Sequence, residues 1–395
     1  MKHSYIAKRF QSSGAGLSLD TEALAKYKDI IDLSIGDTDF TTDESIINAA
    51  FRDAKAGHTH YGDPKGDPEL IDAVCRAWEE DFGQRLTRDH VLVSASSCLG
   101  MALVMLAILD PGDEVIVFSP YFPMYREQIE LAGGVCVDVP TYASEDYAID
   151  EARLCAAITP RTKAIVFNNP TNPTGMGYDS RTLELLARVA QEHDLLIAAD
   201  EIYTTYLYEG DFRPIRTLPG MAERTITCNS LSKTYSITGW RLGYLIAPPQ
   251  VAEAAKKVHD FLTVGAPAPL QEAAVAGVSF GDDYYRSLQA LYTEKRDFFC
   301  DGLKKLGLSH TVPQGTYFVL LDISDFLRLP QFAGWTDLAF CEWMIREIGV
   351  AAVPGSSFFR ENVNHLIRMH FARGRDILQM ALDRLAKLAA LLEKE

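Results

Sequence analysis

The chain has 395 residues, of which 47% are hydrophobic and 23% charged, and its formal net charge at pH 7 is −16. This composition is typical of a folded globular protein with two or three domains. The negative charge argues against nucleic acid as a partner, because phosphate backbones would be repelled. No apolar run reaches the roughly 18 residues that a membrane span needs. We therefore expect a cytoplasmic protein with no membrane partner.

The cysteines and histidines do not form a metal-binding pattern. The seven cysteines are scattered without a CxxC pair, which predicts reduced thiols rather than disulfides or a zinc site. The nearest histidines, His58 and His60, would supply two ligands where zinc usually needs three or four. We expect no metal.

Short apolar segments alternate with amphipathic ones from about residue 91, a pattern typical of a parallel sheet covered by helices on both faces. The predicted strands are 91–93, 115–118, 135–139, 164–167, 195–199, 225–228 and 243–246. The predicted helices are 99–109, 125–131, 181–193, 251–262 and 270–280. The fold class is therefore α/β.

The pattern changes in the last third of the chain. The elements predicted there are helices 283–306, 338–348 and 376 to the C-terminus, and strands 317–322, 350–353 and 366–371. This mixture predicts a separate, smaller α+β domain. We expect an N-terminal arm (1–45) that packs on the small domain or on a partner subunit, a large domain (46–280) and a small domain (281–395).

Polar residues follow four of the predicted strands. These segments are 94–98, 168–175, 200–203 and 230–233. In open parallel sheets, ligands bind at the carboxyl ends of the strands. The four segments are therefore expected to meet at one edge of the sheet.

The residue types in these segments match the groups of one cofactor. A lysine such as Lys233 can form an imine with an aldehyde. A buried aspartate such as Asp200 can keep a pyridine nitrogen protonated. Tyr203 and Asn172 can hydrogen-bond a phenolic oxygen. Aldehyde, pyridine nitrogen and phenolic oxygen belong to pyridoxal 5′-phosphate.

A phosphate site is expected at the start of the helix that follows strand 91–93. Small residues at a helix N-terminus offer backbone N–H groups and the positive end of the dipole to an anion. Ser96, Ser97 and Cys98 lie at that position, and Ser230 and Arg241 can add a hydroxyl and a charge. The spacing does not decide which residues of 96–98 bond the phosphate.

The stretch 230–244, Ser-Leu-Ser-Lys-Thr-Tyr-Ser-Ile-Thr-Gly-Trp-Arg-Leu-Gly-Tyr, resembles the cofactor-lysine motif of class I/II aminotransferases of fold type I. Residues 169–175, Asn-Pro-Thr-Asn-Pro-Thr-Gly, resemble a second motif of that family. The resemblance covers nearly the whole chain. It implies a mostly parallel central sheet flanked by helices, a smaller α+β domain, pyridoxal phosphate as cofactor, amino acid and 2-oxo acid substrates, and a homodimer.

The resemblance also implies roles for residues around the cofactor. Lys233 is similar to the family's Schiff-base lysine and Asp200 to the partner of the pyridine nitrogen. Tyr203 and Asn172 are similar to the partners of the phenolic oxygen, and Arg241 to the phosphate arginine.

Four further positions match the family outside these segments. Phe122 falls where an aromatic ring stacks on the cofactor, and Arg368 resembles the arginine that binds the substrate α-carboxylate. Gly36 resembles the glycine that closes over the substrate. Tyr61 resembles a tyrosine that reaches the phosphate across a dimer interface.

The residues favour a neutral or aromatic substrate. An aspartate enzyme needs a second cation for the side-chain carboxylate, and no motif supplies one. The aromatic residues expected near the substrate are Phe122, Tyr125, Tyr61 and Phe358. The C-terminal half most resembles kynurenine, glutamine and methionine aminotransferases.

Three alternatives stay open at this point. A carbon–sulfur β-lyase would use the same fold and the same lysine. An aspartate-type aminotransferase is the second alternative. A non-enzymatic regulator built on this fold would carry an added DNA-binding segment, for which this acidic chain leaves little room.

Overall fold

The structure is a computed structural model that describes residues 5–7, 27 and 29–392. The strands of the described part are β1 (Ile31–Asp32), β2 (Val91–Ser94), β3 (Glu114–Ser119), β4 (Val135–Pro140), β5 (Thr162–Asn168), β6 (Leu196–Asp200), β7 (Thr225–Ser230), β8 (Gly243–Ile246), β9 (Phe318–Asp322), β10 (Val350–Ala351), β11 (Val353–Pro354) and β12 (Leu366–His370).

The α-helices of the same part connect and cover these strands. They are α1 (Glu44–Ala56), α2 (Pro68–Phe82), α3 (Ser97–Ile108), α4 (Met124–Leu131), α5 (Glu151–Ala157), α6 (Ser180–Glu192), α7 (Pro249–Thr263), α8 (Ala268–Val278), α9 (Asp282–Lys305), α10 (Ser324–Arg328), α11 (Asp337–Trp343) and α12 (Arg375–Ala389). Within the described ranges, none of the helices is long and apolar enough to span a membrane.

A seven-stranded sheet forms the centre of the molecule, in the order β2-β8-β7-β6-β5-β3-β4. All neighbouring strands are parallel except β8, which runs antiparallel to both β2 and β7. The seven predicted strands and the α/β class are confirmed, with strand ends within two residues of those expected. Strand 243–246 differs only in direction.

Both faces of this sheet are buried, as its continuous apolar strands require. On β5, Ile165 and Phe167 pack in one hydrophobic cluster, with helix α6, while Ala164 and Val166 pack in another, with α3. Successive side chains of a strand point to opposite faces, so a single apolar strand contributes to two cores. The strands whose carboxyl ends form the expected site are therefore packed on both faces.

Helices α1 and α2 were missed in the sequence, although both carry end signals. Asp43 and Asp67 cap their N-termini by accepting hydrogen bonds from backbone N–H groups two residues further on. Gly57 and Gly83 follow their last residues with left-handed backbone. An aspartate before and a glycine after an amphipathic stretch is a recognised helix signature.

A smaller unit packs beside the sheet. Strands β11, β12 and β9 form an antiparallel sheet, and β1 pairs in parallel with β10. The strand expected over 350–353 is therefore wrong as one element, because its two halves belong to different sheets. The helix expected over 338–348 begins as α11 and ends in a π-helical turn.

The predicted N-terminal arm falls largely outside the described residues, since 1–4, 8–26 and 28 are not among them. Its described end is tied to the small unit. Ile31 pairs with Val350, and the N–H of His370 donates to the carbonyl of Leu33 at 3.1 Å.

Candidate functional site

A cavity of about 370 Å³ opens at the carboxyl ends of the central strands, between the large sheet and the small unit. It is lined by every predicted site residue except Tyr61: Gly36, Ser96, Ser97, Cys98, Phe122, Asn172, Asp200, Tyr203, Ser230, Lys233, Arg241 and Arg368. Residues that are far apart in sequence thus meet at one sheet edge.

Asp200 is the last residue of β6 and is buried. Burial raises the pKa of its carboxyl to about 6, while a hydrogen bond from Tyr125 opposes the rise. The Tyr125 hydroxyl donates to Oδ2 at 2.5 Å, and the N–H of Ile202 donates to Oδ1 at 3.4 Å. Two hydrogen bonds offset only part of the cost of burying this negative charge. The Asp200 carboxylate therefore favours a cationic partner.

Lys233 lies in the loop after β7 and points into the cavity. Its Nζ donates to the carbonyl of Gly36 at 2.8 Å. Burial lowers the pKa of its amine to about 8, Asp37 opposes this change, and Arg241 and Arg368 add to it. A larger fraction of this amine is therefore neutral and nucleophilic than of an ordinary lysine.

The turn before α3 has the geometry of an anion site. Ser96 has left-handed backbone (φ 100°), and its hydroxyl accepts from the N–H of Leu99 at 3.1 Å, so that side chain caps the helix. A Cβ on Gly243 would lie 2.5 Å from the Ser97 nitrogen, so only glycine allows β8 to approach this helix start. Arg241 also lines the cavity, and its Nη1 donates to the Thr238 carbonyl at 2.7 Å.

Arg368 lies in the middle of β12 and is 4% exposed. Its Nη1 donates to Asn172 Oδ1 at 2.8 Å and its Nη2 to the Ser34 carbonyl at 3.0 Å. The guanidinium lies 4.1 Å from the centroid of the Phe318 ring, and burial lowers its pKa to about 10. The side chain is thus held by three separate segments, and its remaining donors can bind an anion.

One of the expectations about aromatic residues, that for Phe358, is wrong. Tyr61 is 88% exposed and does not line the cavity of its own chain. Phe358 is 1% exposed and packs on the Arg368 guanidinium at 4.7 Å, so it supports that arginine and is not a wall of the cavity. Tyr125 does line the cavity, but its hydroxyl serves Asp200.

Two residues that contribute to the site were given no role of their own in the sequence analysis. Asn168, at the end of β5, accepts from the Asn172 N–H at 2.8 Å and shapes the loop; its place at a strand end was the available signal. Gln128 donates to the Cys98 carbonyl at 2.9 Å, while its Oε1 has no hydrogen-bond partner among the described residues. Only its spacing on α4, three residues after Tyr125, could have indicated Gln128.

The family model for aminotransferase class I and II matches residues 28–385. The chain belongs to this family. It is 37% identical to the aspartate/prephenate aminotransferase of Thermus thermophilus, over 97% of this chain and 98% of that protein. It is also 32% identical to the arginine–pyruvate transaminase of Pseudomonas aeruginosa, over 99% and 98% of the two chains.

Solved structures agree with this assignment. A tetra mutant of the T. thermophilus aspartate aminotransferase, complexed with tryptophan, superposes with a TM-score of 0.90 and 34% identity. The match covers 98% of this chain and 100% of that one. The chain is accordingly a fold-type I aminotransferase that depends on pyridoxal phosphate.

The residues present fit this cofactor. The buried Asp200 carboxylate suits a protonated ring nitrogen, and the amine of Lys233 suits the aldehyde. The start of α3, brought close to β8 by Gly243, suits the phosphate together with Arg241. Phe122 lines the same cavity with its ring, which suits a planar heterocycle.

Proposed function

We propose that Lys233 carries the cofactor and moves the substrate proton, that Asp200 pairs with the pyridine nitrogen, and that Arg368 binds the substrate α-carboxylate. The remaining groups hold the cofactor. Phe122 covers the ring, Tyr203 and Asn172 bond the phenolic oxygen, and the phosphate is bound by Ser96, Ser97, Cys98, Ser230, Arg241 and a partner's Tyr61. Gly36 closes over the substrate. The observation that supports these roles is the convergence of the cavity residues at one sheet edge.

The cofactor supplies an aldehyde that accepts amines and a ring that withdraws electrons from the substrate Cα. Lys233, whose pKa is lowered to about 8, would accept the Cα proton as a general base and, as an acid, deliver it to C4′ of the cofactor. Asp200, ionised above about pH 6, keeps the ring nitrogen charged. Arg368 orients the amino acid through two parallel hydrogen bonds to its carboxylate.

We further propose a substrate with a neutral or aromatic side chain. The lysines and arginines that line the cavity, within the described residues, are Lys233, Arg241 and Arg368. Each has a role in the scheme above, so none is left for a second carboxylate. A desolvated carboxylate without a cationic partner is strongly unfavourable. The remaining wall includes Ile35, Phe122 and other apolar side chains.

The named relatives differ in substrate. Their names specify aspartate or prephenate in one case and arginine in another. The T. thermophilus tetra mutant in complex with tryptophan is an aromatic precedent on the same fold. The names therefore do not decide the substrate of this chain, and the charge of the cavity is the better guide.

A substrate panel at fixed 2-oxoglutarate concentration tests this proposal. We expect kcat/KM for phenylalanine, tyrosine or methionine to exceed that for aspartate. Aspartate ahead of every neutral amino acid by tenfold, about 1.4 kcal/mol, would contradict it. The Arg368→Lys variant is the control, because both substrate types share the α-carboxylate and should lose activity equally.

The same panel separates transfer from elimination. A transaminase releases a 2-oxo acid only when an acceptor is present. Pyruvate and ammonia released from cystathionine without an acceptor would instead support the β-lyase alternative.

We propose that the protein is a homodimer in the cytoplasm. Tyr61, Phe261 and Leu262 are 88%, 83% and 54% exposed. Their two segments are neighbours, since His259 Nδ1 lies 3.0 Å from the Pro64 carbonyl. A cluster of exposed large apolar side chains is typical of an interface, and a second copy would bring Tyr61 to its partner's cavity.

Sedimentation tests the dimer. Phe261→Glu should shift the protein toward a monomer, whereas Val312→Glu, which changes a 62% exposed residue of the small unit, should not. A fully active wild-type monomer at nanomolar concentration would exclude the role of Tyr61.

The division into an arm (1–45), a large domain (46–280) and a small domain (281–395) is part of the same proposal. Helix α9 begins at the second boundary. Tyr285 near its start packs with the helices beside the large sheet, and Phe299 further along packs in the core of the small unit. Limited proteolysis near residues 40–46 and 278–283 would test these boundaries.

A further inference from the structure

Tyr317 lies where the small unit meets the catalytic lysine. It directly precedes β9 and is fully buried. Its backbone is fixed by the N–H of Phe371, which donates to the Tyr317 carbonyl at 2.9 Å. The preceding residue, Thr316, has left-handed backbone (φ 61°) and is also fully buried. The tyrosine ring therefore has a defined position.

The Tyr317 hydroxyl and the Lys233 amine share one acceptor. The hydroxyl donates to the Gly36 carbonyl at 3.1 Å, and Lys233 Nζ donates to the same oxygen at 2.8 Å. The amine also lies 5.9 Å from the centroid of the Tyr317 ring. The hydrogen bond to the Gly36 carbonyl is short enough to direct the amine, and the ring lies at the outer limit of a cation–π contact.

The packing around Gly36 leaves no room for a side chain. A Cβ on Gly36 would lie 2.5 Å from Phe318 Cζ and 3.0 Å from Tyr317 Cε2. The Tyr317 ring thus lies against Gly36, and its hydroxyl bonds the Gly36 carbonyl. Loss of the hydroxyl would leave that oxygen with Lys233 as its remaining side-chain donor among the described residues.

Tyr317 also contacts a proposed cofactor residue. Its ring is edge-on to that of Tyr203, with centroids 5.6 Å apart. Burial raises the pKa of the Tyr203 hydroxyl, and the charge of Arg368 opposes this rise. One hydroxyl therefore lies between the N-terminal segment, the lysine and Tyr203.

We propose that Tyr317 is a positioning residue. Through the Gly36 carbonyl it holds Lys233 Nζ at the place where the amine accepts the substrate Cα proton. This inference rests on the proposed role of Lys233. With the substrate bound to the cofactor, the amine of Lys233 would be free and would need a partner that keeps it near Cα. The Gly36 carbonyl supplies one acceptor, and Tyr317 fixes the direction of that acceptor. Proton transfer is sensitive to such alignment.

The test is Tyr317→Phe in the holoenzyme, which removes one oxygen and keeps the ring. We expect kcat to fall about tenfold, with KM within about threefold of wild type, since Tyr317 does not bind the α-carboxylate. With α-deuterated amino acid, the isotope effect on kcat should be at least as large as in wild type, because proton transfer becomes more rate-limiting. An unchanged kcat, or a smaller isotope effect, would overturn the proposal.

A spectroscopic readout accompanies the kinetics. The charged groups that act on Lys233 are Asp37, Arg241 and Arg368, and Lys233 in turn lowers the pKa of His370. Because these stay in place in Tyr317→Phe, a shift in the pH at which the bound cofactor changes its absorbance reports the lost hydroxyl. An unchanged titration curve together with a normal kcat would leave Tyr317 as a core residue only.

The matched control is Tyr292→Phe. Tyr292 belongs to the same aromatic cluster, with its ring centroid 6.0 Å from that of Tyr317, but its hydroxyl donates to Asp39 at 3.3 Å. We expect its kcat to stay within about twofold of wild type and its isotope effect to be unchanged. An equal loss in both variants would assign the effect to general packing. Failure of the Lys233 role itself is distinguishable, since Lys233→Ala would then remain active.

Discussion

Asp200 and Arg368 are both buried charged side chains of the cavity, but they reach it by different routes. Asp200 ends a central strand of the parallel sheet, so the strand itself delivers it to the edge. Arg368 lies in the middle of β12 in the small unit, and its guanidinium is directed by Asn172 and by the carbonyl of Ser34. The first position follows from backbone topology, whereas the second depends on contacts between distant segments.

The difference assigns distinct tasks to the two regions. The sheet edge holds groups suited to the cofactor, and both of its faces are buried, so it can stay fixed. The small-unit side holds Arg368, Tyr317 and Gly36, for which we propose roles toward the substrate and the free amine. Changes at the sheet edge should therefore alter the absorbance of the cofactor, whereas a change of the substrate-binding Arg368 should leave it intact.

The largest expected effect is at the sheet edge. Lys233→Ala should lose the cofactor-imine absorbance of the yellow holoenzyme and lower kcat by about 10³-fold or more, because base and attachment point disappear together. The control is Lys163→Ala, a 44% exposed lysine near Asp113. Wild-type turnover in Lys233→Ala would contradict the proposal that Lys233 carries the cofactor.

Asp200→Asn should lower kcat by roughly 100-fold or more, because the ring nitrogen loses its anionic partner. It should also stabilise the cofactor-free protein. The folded-state pKa of Asp200 is raised to about 6 from 3.8, so its contribution to stability is lost as pH rises through 6.

The difference in the free energy of unfolding between Asp200→Asn and wild type should depend on pH. The variant should exceed wild type in the free energy of unfolding at pH 8 by up to about 3 kcal/mol, and the gap should close near pH 4. Denaturant unfolding of both cofactor-free proteins measures this, with Asp146→Asn as an exposed control. A gap that widens at low pH would contradict the sign.

Arg368→Lys tests the small-unit side. Lysine keeps the charge but loses the planar pair of donors, so kcat/KM for all amino acids should fall about 30-fold, mainly through KM. The absorbance of the bound cofactor should not change. A changed spectrum would show that the two regions are not separable in this way.

The smallest expected effect is that of Tyr125→Phe. The hydrogen bond from Tyr125 lowers the pKa of Asp200, so its loss should raise that pKa further above its ordinary value. Cofactor affinity near neutral pH should fall about tenfold, as expected for a hydrogen bond to a charged group. Equilibrium titration with pyridoxal phosphate at pH 6 and pH 8 should show the larger loss at pH 6.

The sequence predicted the sheet-edge half of the molecule better than the other half. Strands and strand-end residues such as Asp200 are local signals, since apolar runs and the polar residues after them are adjacent in the chain. The pairing of Ile31 with Val350 and the split of 350–353 depend on tertiary contacts that no local pattern encodes. The hydrogen bond from Tyr317 to the Gly36 carbonyl could not be predicted from the sequence for the same reason.

The pairing of β1 with β10 has a consequence for how the chain is made. These strands are more than 300 residues apart, and ribosomes add about 5–20 residues per second. During translation, β1 therefore waits for roughly 15–60 s before its partner strand exists. Gly36 lies four residues after β1, in the segment that this late pairing ties to the small unit, and Arg368 is synthesised later still. Assembly of the catalytic centre is thus a late event in biosynthesis, after the parallel sheet can already have formed.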